Sequence, residues 1–151
     1  MDKPHQEFVT VKMLFVTALL FLILGTQAQN CPKLEAAVQN VYVNFLTIYN
    51  QNLIWSDSIS YMALKELKEP GSVMKDCLPY VEIKGTWTFS KYNIGTMEQK
   101  IQQTLAFGGF ASKWQLVYNL GNGAKFGCNS VYVEGQTRNT VTVLCLFQNQ
   151  N

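Results

Sequence analysis

Histidine is almost missing from this chain. The one histidine among 151 residues is His5, and it precedes an apolar run, Met13 to Leu24, that reads as a secretory leader. A mature protein without histidine lacks the one side chain that titrates near neutral pH and the commonest zinc ligand. The usual Ser or Cys dyads cannot be assembled, because each needs an adjacent base. Arginine is equally scarce: Arg138 is the only one, so bidentate phosphate contacts have a single source. No Asn-x-Ser/Thr sequon occurs, and N-glycans are not expected. No C-x2-C pair is present either, which removes the spacing of structural zinc sites.

The apolar run is shorter than the ~20 residues that span a bilayer, and Thr26-Gln27-Ala28 supplies a small-x-small cleavage pattern. Residues 1–28 are therefore read as a signal peptide and 29–151 as one domain of 123 residues. Met13 is an alternative start, and the acids Asp2 and Glu7 are atypical of a basic leader. The expectation is a secreted, extracellular protein with no membrane span after cleavage. The leader carries Lys3 and Lys12 against Asp2 and Glu7, which leaves 10 basic and 8 acidic groups. A net charge near +2 so scattered makes no footprint for nucleic acid.

All four cysteines, Cys31, Cys77, Cys128 and Cys145, lie in the exported part, where disulfides form. The segments Phe126 to Tyr132 and Val141 to Phe147 read as strands joined by the polar turn Glu134 to Asn139. A hairpin symmetric about Gln136 and Thr137 sets Cys128 opposite Cys145, within bonding reach. By elimination Cys31 pairs with Cys77.

Helices come first along the chain and strands last, an α+β order. After Pro32, Leu34, Val38, Val41, Phe45 and Ile48 recur at helical spacing as one buried stripe. A second helix capped at Ser56 or Asp57 buries Ile59, Met62, Ala63 and Leu67 and stops at Pro70-Gly71. A third opens on the capping box Thr96 to Gln99, carries Met97, Ile101 and Leu105, and ends at Gly108-Gly109. Trp114 to Tyr118 reads as a strand, joined through Asn122-Gly123 to the Phe126 strand in a three-stranded meander. Tyr80 to Phe89 alternates less cleanly and is assigned as an edge strand.

Several short motifs resemble the CAP superfamily, the cysteine-rich secretory, antigen 5 and pathogenesis-related 1 proteins. Asn40, Val43, Tyr49 and Asn50, followed by Leu53-Ile-Trp55-Ser-Asp-Ser-Ile59-x-x-Met62-Ala63, are similar to the family's opening helices. Gln115-Leu-Val-Tyr118 stands where the family has H-x-T-Q-h-h-W, Phe126-Gly127-Cys128 where it has h-G-C, and Thr142 to Phe147 where it has h-h-h-C-x-Y. The resemblance implies a disulfide-stabilised three-layer α-β-α sandwich with a small antiparallel sheet. It also implies a cleft that commonly holds two histidines and two glutamates for a divalent metal. Here the motif histidine falls on Ser112, the other region reads Lys75-Asp-Cys-Leu-Pro79, and Gly85-Thr86-Trp87 stands for Gly-Glu-Asn. No catalytic, cofactor or metal site is therefore expected.

The functional expectation is a non-enzymatic binding module for an extracellular protein or a small hydrophobic ligand. Two alternatives remain: a histidine-independent hydrolase using paired carboxylates, and an unrelated small secreted α+β inhibitor. Glu66 and Glu69, interleaved with Lys65 and Lys68, are read as a solvated helix face. The tryptophans Trp55, Trp87 and Trp114 are read as core and hairpin packing in preference to a sugar- or lipid-binding surface.

Overall fold

The computed structural model describes residues 33–73 and 80–149. In chain order the elements are α1 (Ala36–Thr47), β1 (Ile54–Trp55), α2 (Asp57–Lys68), β2 (Val81–Ser90), α3 (Met97–Phe107), a 3-10 turn (Ala111–Lys113), α4 (Trp114–Tyr118), β3 (Lys125–Val133) and β4 (Arg138–Gln148). The leader and the Cys31–Cys77 pairing lie outside the described residues.

Local chemistry accounts for the helix boundaries. The Ser56 hydroxyl accepts the Ile59 N–H at the start of α2. At α3 the Thr96 hydroxyl accepts the Gln99 N–H while Gln99 Oε1 accepts the Thr96 N–H, the reciprocal cap that the sequence announces. α3 stops at Gly108, whose N–H reaches Thr104 O at 2.7 Å.

The sheet order is β1-β3-β4-β2. β4 pairs antiparallel with both β2 and β3, and β1 runs parallel to β3. The sheet is therefore mixed rather than wholly antiparallel: two residues between α1 and α2 suffice for the parallel contact, through Ile54 N–H to Ala124 O and Ser56 N–H to Phe126 O. The β3–β4 hairpin has the anticipated register, with Cys128 opposite Cys145. The two cysteines form a disulfide across the pair, with Cα atoms 4.1 Å apart.

Side-chain alternation along β4 divides the molecule into three layers. Val141, Val143, Cys145 and Phe147 enter one core with Val38, Tyr42 and Leu46 of α1 and Ile101 and Leu105 of α3. Leu144 and Leu146 enter a second core with Ile59 and Ala63 of α2. Helices thus cover both faces of the sheet, the sandwich expected from the resemblance. α2 lies so close that a side chain at Gly127 would overlap the backbone of Ile59 and Ser60.

Three assignments need correction. Trp114–Tyr118 is a short helix, not a strand, because Val117 anchors in the core while Asn50 Nδ2 donates to the carbonyls of Val117 and Leu120. The third antiparallel strand is consequently β2, an edge strand ten residues long. The stripe predicted for α1 is also rotated. Tyr42 and Leu46 join Val38 in the core, whereas Ile48 is 75% exposed and Val41 and Phe45 are half-buried.

Candidate functional site

That rotation of α1 creates a concavity. A helix that turns Val38, Tyr42 and Leu46 to the sheet leaves Val41, Phe45 and Ile48 on its flank. There they face Glu98 and Gln102 of α3 across a groove of about 420 Å³. Ala37 completes the apolar wall, and Asn40 and Asn44 add amides. Glu98 stands in the first turn of α3, where the helix N-terminus favours a carboxylate. The Thr96 side chain and the backbone N–H of Glu98 itself hold its carboxyl below the usual range. The groove therefore joins an apolar wall to amide donors and acceptors and one anionic end. The sequence signal for it was an excess: α1 carries more apolar residues than one face can turn toward the sheet.

The positions aligned with the family's cleft do not assemble a catalytic group. Ser112 lies exposed in the 3-10 turn, where its hydroxyl donates to Gly109 O at 2.7 Å. Gly85, Thr86 and Trp87 lie on β2 against the end of α3, with Thr86 N–H donating to Gly108 O. Asp76 and Cys77 are outside the described residues. Among the described residues no three His, Cys, Asp or Glu side chains gather as a metal site. Glu66 is not merely a solvated charge. Its carboxylate accepts the N–H groups of Gly71 and Val73 and the hydroxyl of Ser72, which fixes the turn after α2.

One polar group in the core is anomalous. Tyr42 is fully buried, and no hydrogen bond meets its hydroxyl. Burial pushes its pKa up; the Ser130 side chain lies near enough to oppose that shift in part.

The aromatics divide between core and surface. Trp55 packs on Tyr42 and Phe126 and donates its indole N–H to Asp57, in keeping with the packing role expected of it. Trp87 and Trp114 depart from that expectation, since both are substantially exposed. Trp87 meets Phe107, itself exposed. Trp114 ends a run of ring contacts from buried Phe110 through Phe45 and Tyr49, and Tyr118 abuts it edge-on.

An α-β-α sandwich of this kind also occurs in secreted proteins of the hookworm genus Ancylostoma. The Ancylostoma-secreted protein Ac-ASP-7 is 14% identical, with a TM-score of 0.58 over 83% of this chain and 75% of that one. Its manganese-bound form has a TM-score of 0.59 at the same identity, covering 83% and 74% of the two chains. At such identity the likeness establishes the CAP-like fold alone. No curated protein matches the chain in sequence. The model of the 15 kDa excretory/secretory protein family, ES15, matches residues 41–149. The chain belongs to that family of excreted and secreted proteins, and its secretion follows from the membership. No helix among the described residues is long and apolar enough to cross a membrane.

Proposed function

We propose that the chain is a secreted, non-enzymatic binding module that carries a small, largely apolar ligand in the groove between α1 and α3. The observation behind this reading is the groove itself. Its 420 Å³ falls within the ~300–1,000 Å³ typical of ligand sites, and it has their usual lining, an apolar wall with a few polar groups. Glu98 refines the chemistry. A carboxylate held in its charged form repels an anionic headgroup, so the preferred ligand has an apolar body with a hydroxyl or amine end. The non-enzymatic part rests on the lack of histidine after His5 and on the engagement of Glu66 and Ser112 in local turns.

The test is displacement of Nile red, a neutral apolar dye, from the purified secreted protein. Long-chain alcohols and amines are expected to displace it at lower concentration than fatty acids of equal length. Glu98→Gln should remove most of the preference for the amine. Val41→Trp, which fills the groove, should lower dye binding at least tenfold; binding unchanged in that variant rejects the groove as the seat. Turnover in a broad hydrolase screen that is lost in Glu98→Gln or Ser112→Ala rejects the non-enzymatic reading.

A further inference from the structure

The surface built from the loop after α1, from α4 and from the turn into β3 is almost free of charge. From Ala36 to Ser56 the sequence contains no Asp, Glu, Lys or Arg. From Gln99 to Val133 it contains no acid, and its only cations are Lys100, Lys113 and Lys125. Amides replace charge here. Asn50 and Asn52 knit the two loops together, the first through the carbonyls of Val117 and Leu120 and the second through Asn122 Oδ1. Gln115 and Asn119 are exposed on α4 and just beyond it, and among the described residues no hydrogen bond occupies their side chains.

On the adjoining face of the same short helix stands Trp114, 42% exposed, beside Tyr118 at 65%. The Tyr49 ring lies against Trp114 at 6.4 Å and 22°, and the Tyr118 ring meets it at 6.1 Å and 74°. With Tyr49 stacked on it and Tyr118 set edge-on, Trp114 still keeps 42% of its surface open. A ring braced on two sides loses little rotamer freedom when a ligand covers it, so binding there starts pre-organised.

We propose that this ridge is a seat for a neutral carbohydrate. A pyranose presents a face of polarised C–H groups that suits the negative face of an indole, and its rim of hydroxyls needs both donors and acceptors. The amide side chains of Gln115 and Asn119 supply both, without the desolvation penalty that a charged rim would carry. A membrane surface fits less well, because attachment to an anionic leaflet uses clustered Lys and Arg and α4 has only Lys113 beside it. The inference does not rest on a ligand in the apolar groove, although Phe45 of its wall touches Tyr49 behind the indole.

The experiment is a screen of the intact secreted protein against immobilised neutral oligosaccharides of glucose, mannose, galactose and N-acetylhexosamines. Titration of the best-bound sugar by tryptophan fluorescence then follows. At least one oligosaccharide is expected to bind, and Trp114→Ala should weaken it tenfold or more. Gln115→Ala, which changes only an exposed side chain, should weaken it severalfold without affecting the fold. Trp87→Ala, at an equally exposed tryptophan elsewhere, and Val41→Trp in the groove should leave it unchanged. Three results overturn the proposal: no neutral sugar bound, sugar binding that survives both Trp114→Ala and Gln115→Ala, or co-sedimentation with phosphatidylcholine–phosphatidylserine vesicles in place of sugar binding.

Discussion

The two faces of the sheet are closed by different means. Under α2 the helix backbone rests directly on β3, and the contact is locked by polar groups. The Ser60 hydroxyl donates to Cys128 O at 2.7 Å, and Asn129 Nδ2 donates back to Ser60 O. Under α1 and α3 the space is filled by rings and branched side chains, with Tyr42 buried among them unpaired. A backbone-to-backbone contact leaves no spare volume. A layer packed through side chains can leave a groove at its edge, and this one does. The same sheet therefore carries a stiff side, closed by backbone contact, and a looser side with room for the proposed ligand.

Adding volume on each side should break the comparison most visibly if it is wrong. Gly127→Val places carbon atoms where the backbone of Ile59 and Ser60 already lies, and α2 can yield only by lifting away. A loss of about 3 kcal/mol or more in urea unfolding is expected, the upper range for overpacking. Val41→Trp grows into open groove instead and should cost under about 1 kcal/mol. Equal losses for the two variants would show that the α2 contact is no tighter than the α1 contact.

Removing a polar atom tests the other half of the contrast. Tyr42→Phe deletes a buried hydroxyl that has no hydrogen bond, so it should leave stability unchanged or raise it by up to ~1 kcal/mol, since no bond is lost and a desolvation cost disappears. A fall of more than about 1 kcal/mol would mean that the hydroxyl is bonded in solution, through water or Ser130. Ser60→Ala on the stiff side should move the opposite way, by ~1–3 kcal/mol, because it strands the Cys128 carbonyl.

The locally specified features on both sides were the more legible in the sequence. Ser56, Thr96 and Gln99 mark their helix starts by local chemistry, and the turn centred on Gln136 and Thr137 fixes the register that joins Cys128 to Cys145. Such signals act within a few residues and survive whatever else the chain does. The groove and the ridge depend on longer reach. Trp114-Gln-Leu-Val-Tyr118 is rich in residues that favour strands, yet Asn50, some seventy positions away, ties its carbonyls into a helical turn. Similarly, nothing local in α1 says that Tyr42 and Leu46, rather than Val41 and Ile48, will meet the sheet. That choice belongs to Trp55, which stacks on Tyr42 and is itself met edge-on by Phe126. Glu66 was misread for the same reason: it looked like one charge of a solvated helix face, while its partners are the N–H groups and hydroxyl of the turn beyond the helix.

Glu66 also yields the smallest predicted effect, and its sign can be worked out. Its carboxylate accepts the N–H of Gly71 at 2.6 Å and of Val73 at 2.9 Å, and the buried Val73 side chain joins the α2 core. These bonds favour the charged form. The Gly71 N–H, followed by that of Val73, lowers the carboxyl below its ordinary value of 4.5. A group whose folded pKa is depressed contributes stability that is fully present above its unfolded value and lost as pH falls through the folded one. The contribution should therefore be complete at pH 6 and fade below pH 4.5. Because the side chain is only half-buried and its bonds lie at the surface, screening limits it to under about 1 kcal/mol. Glu66→Gln keeps one acceptor oxygen but no charge, so wild type should exceed it slightly in urea midpoint at pH 6 and converge with it near pH 3. A gap that persists undiminished at pH 3 would show that the turn is held by the shape of the side chain and not by its charge.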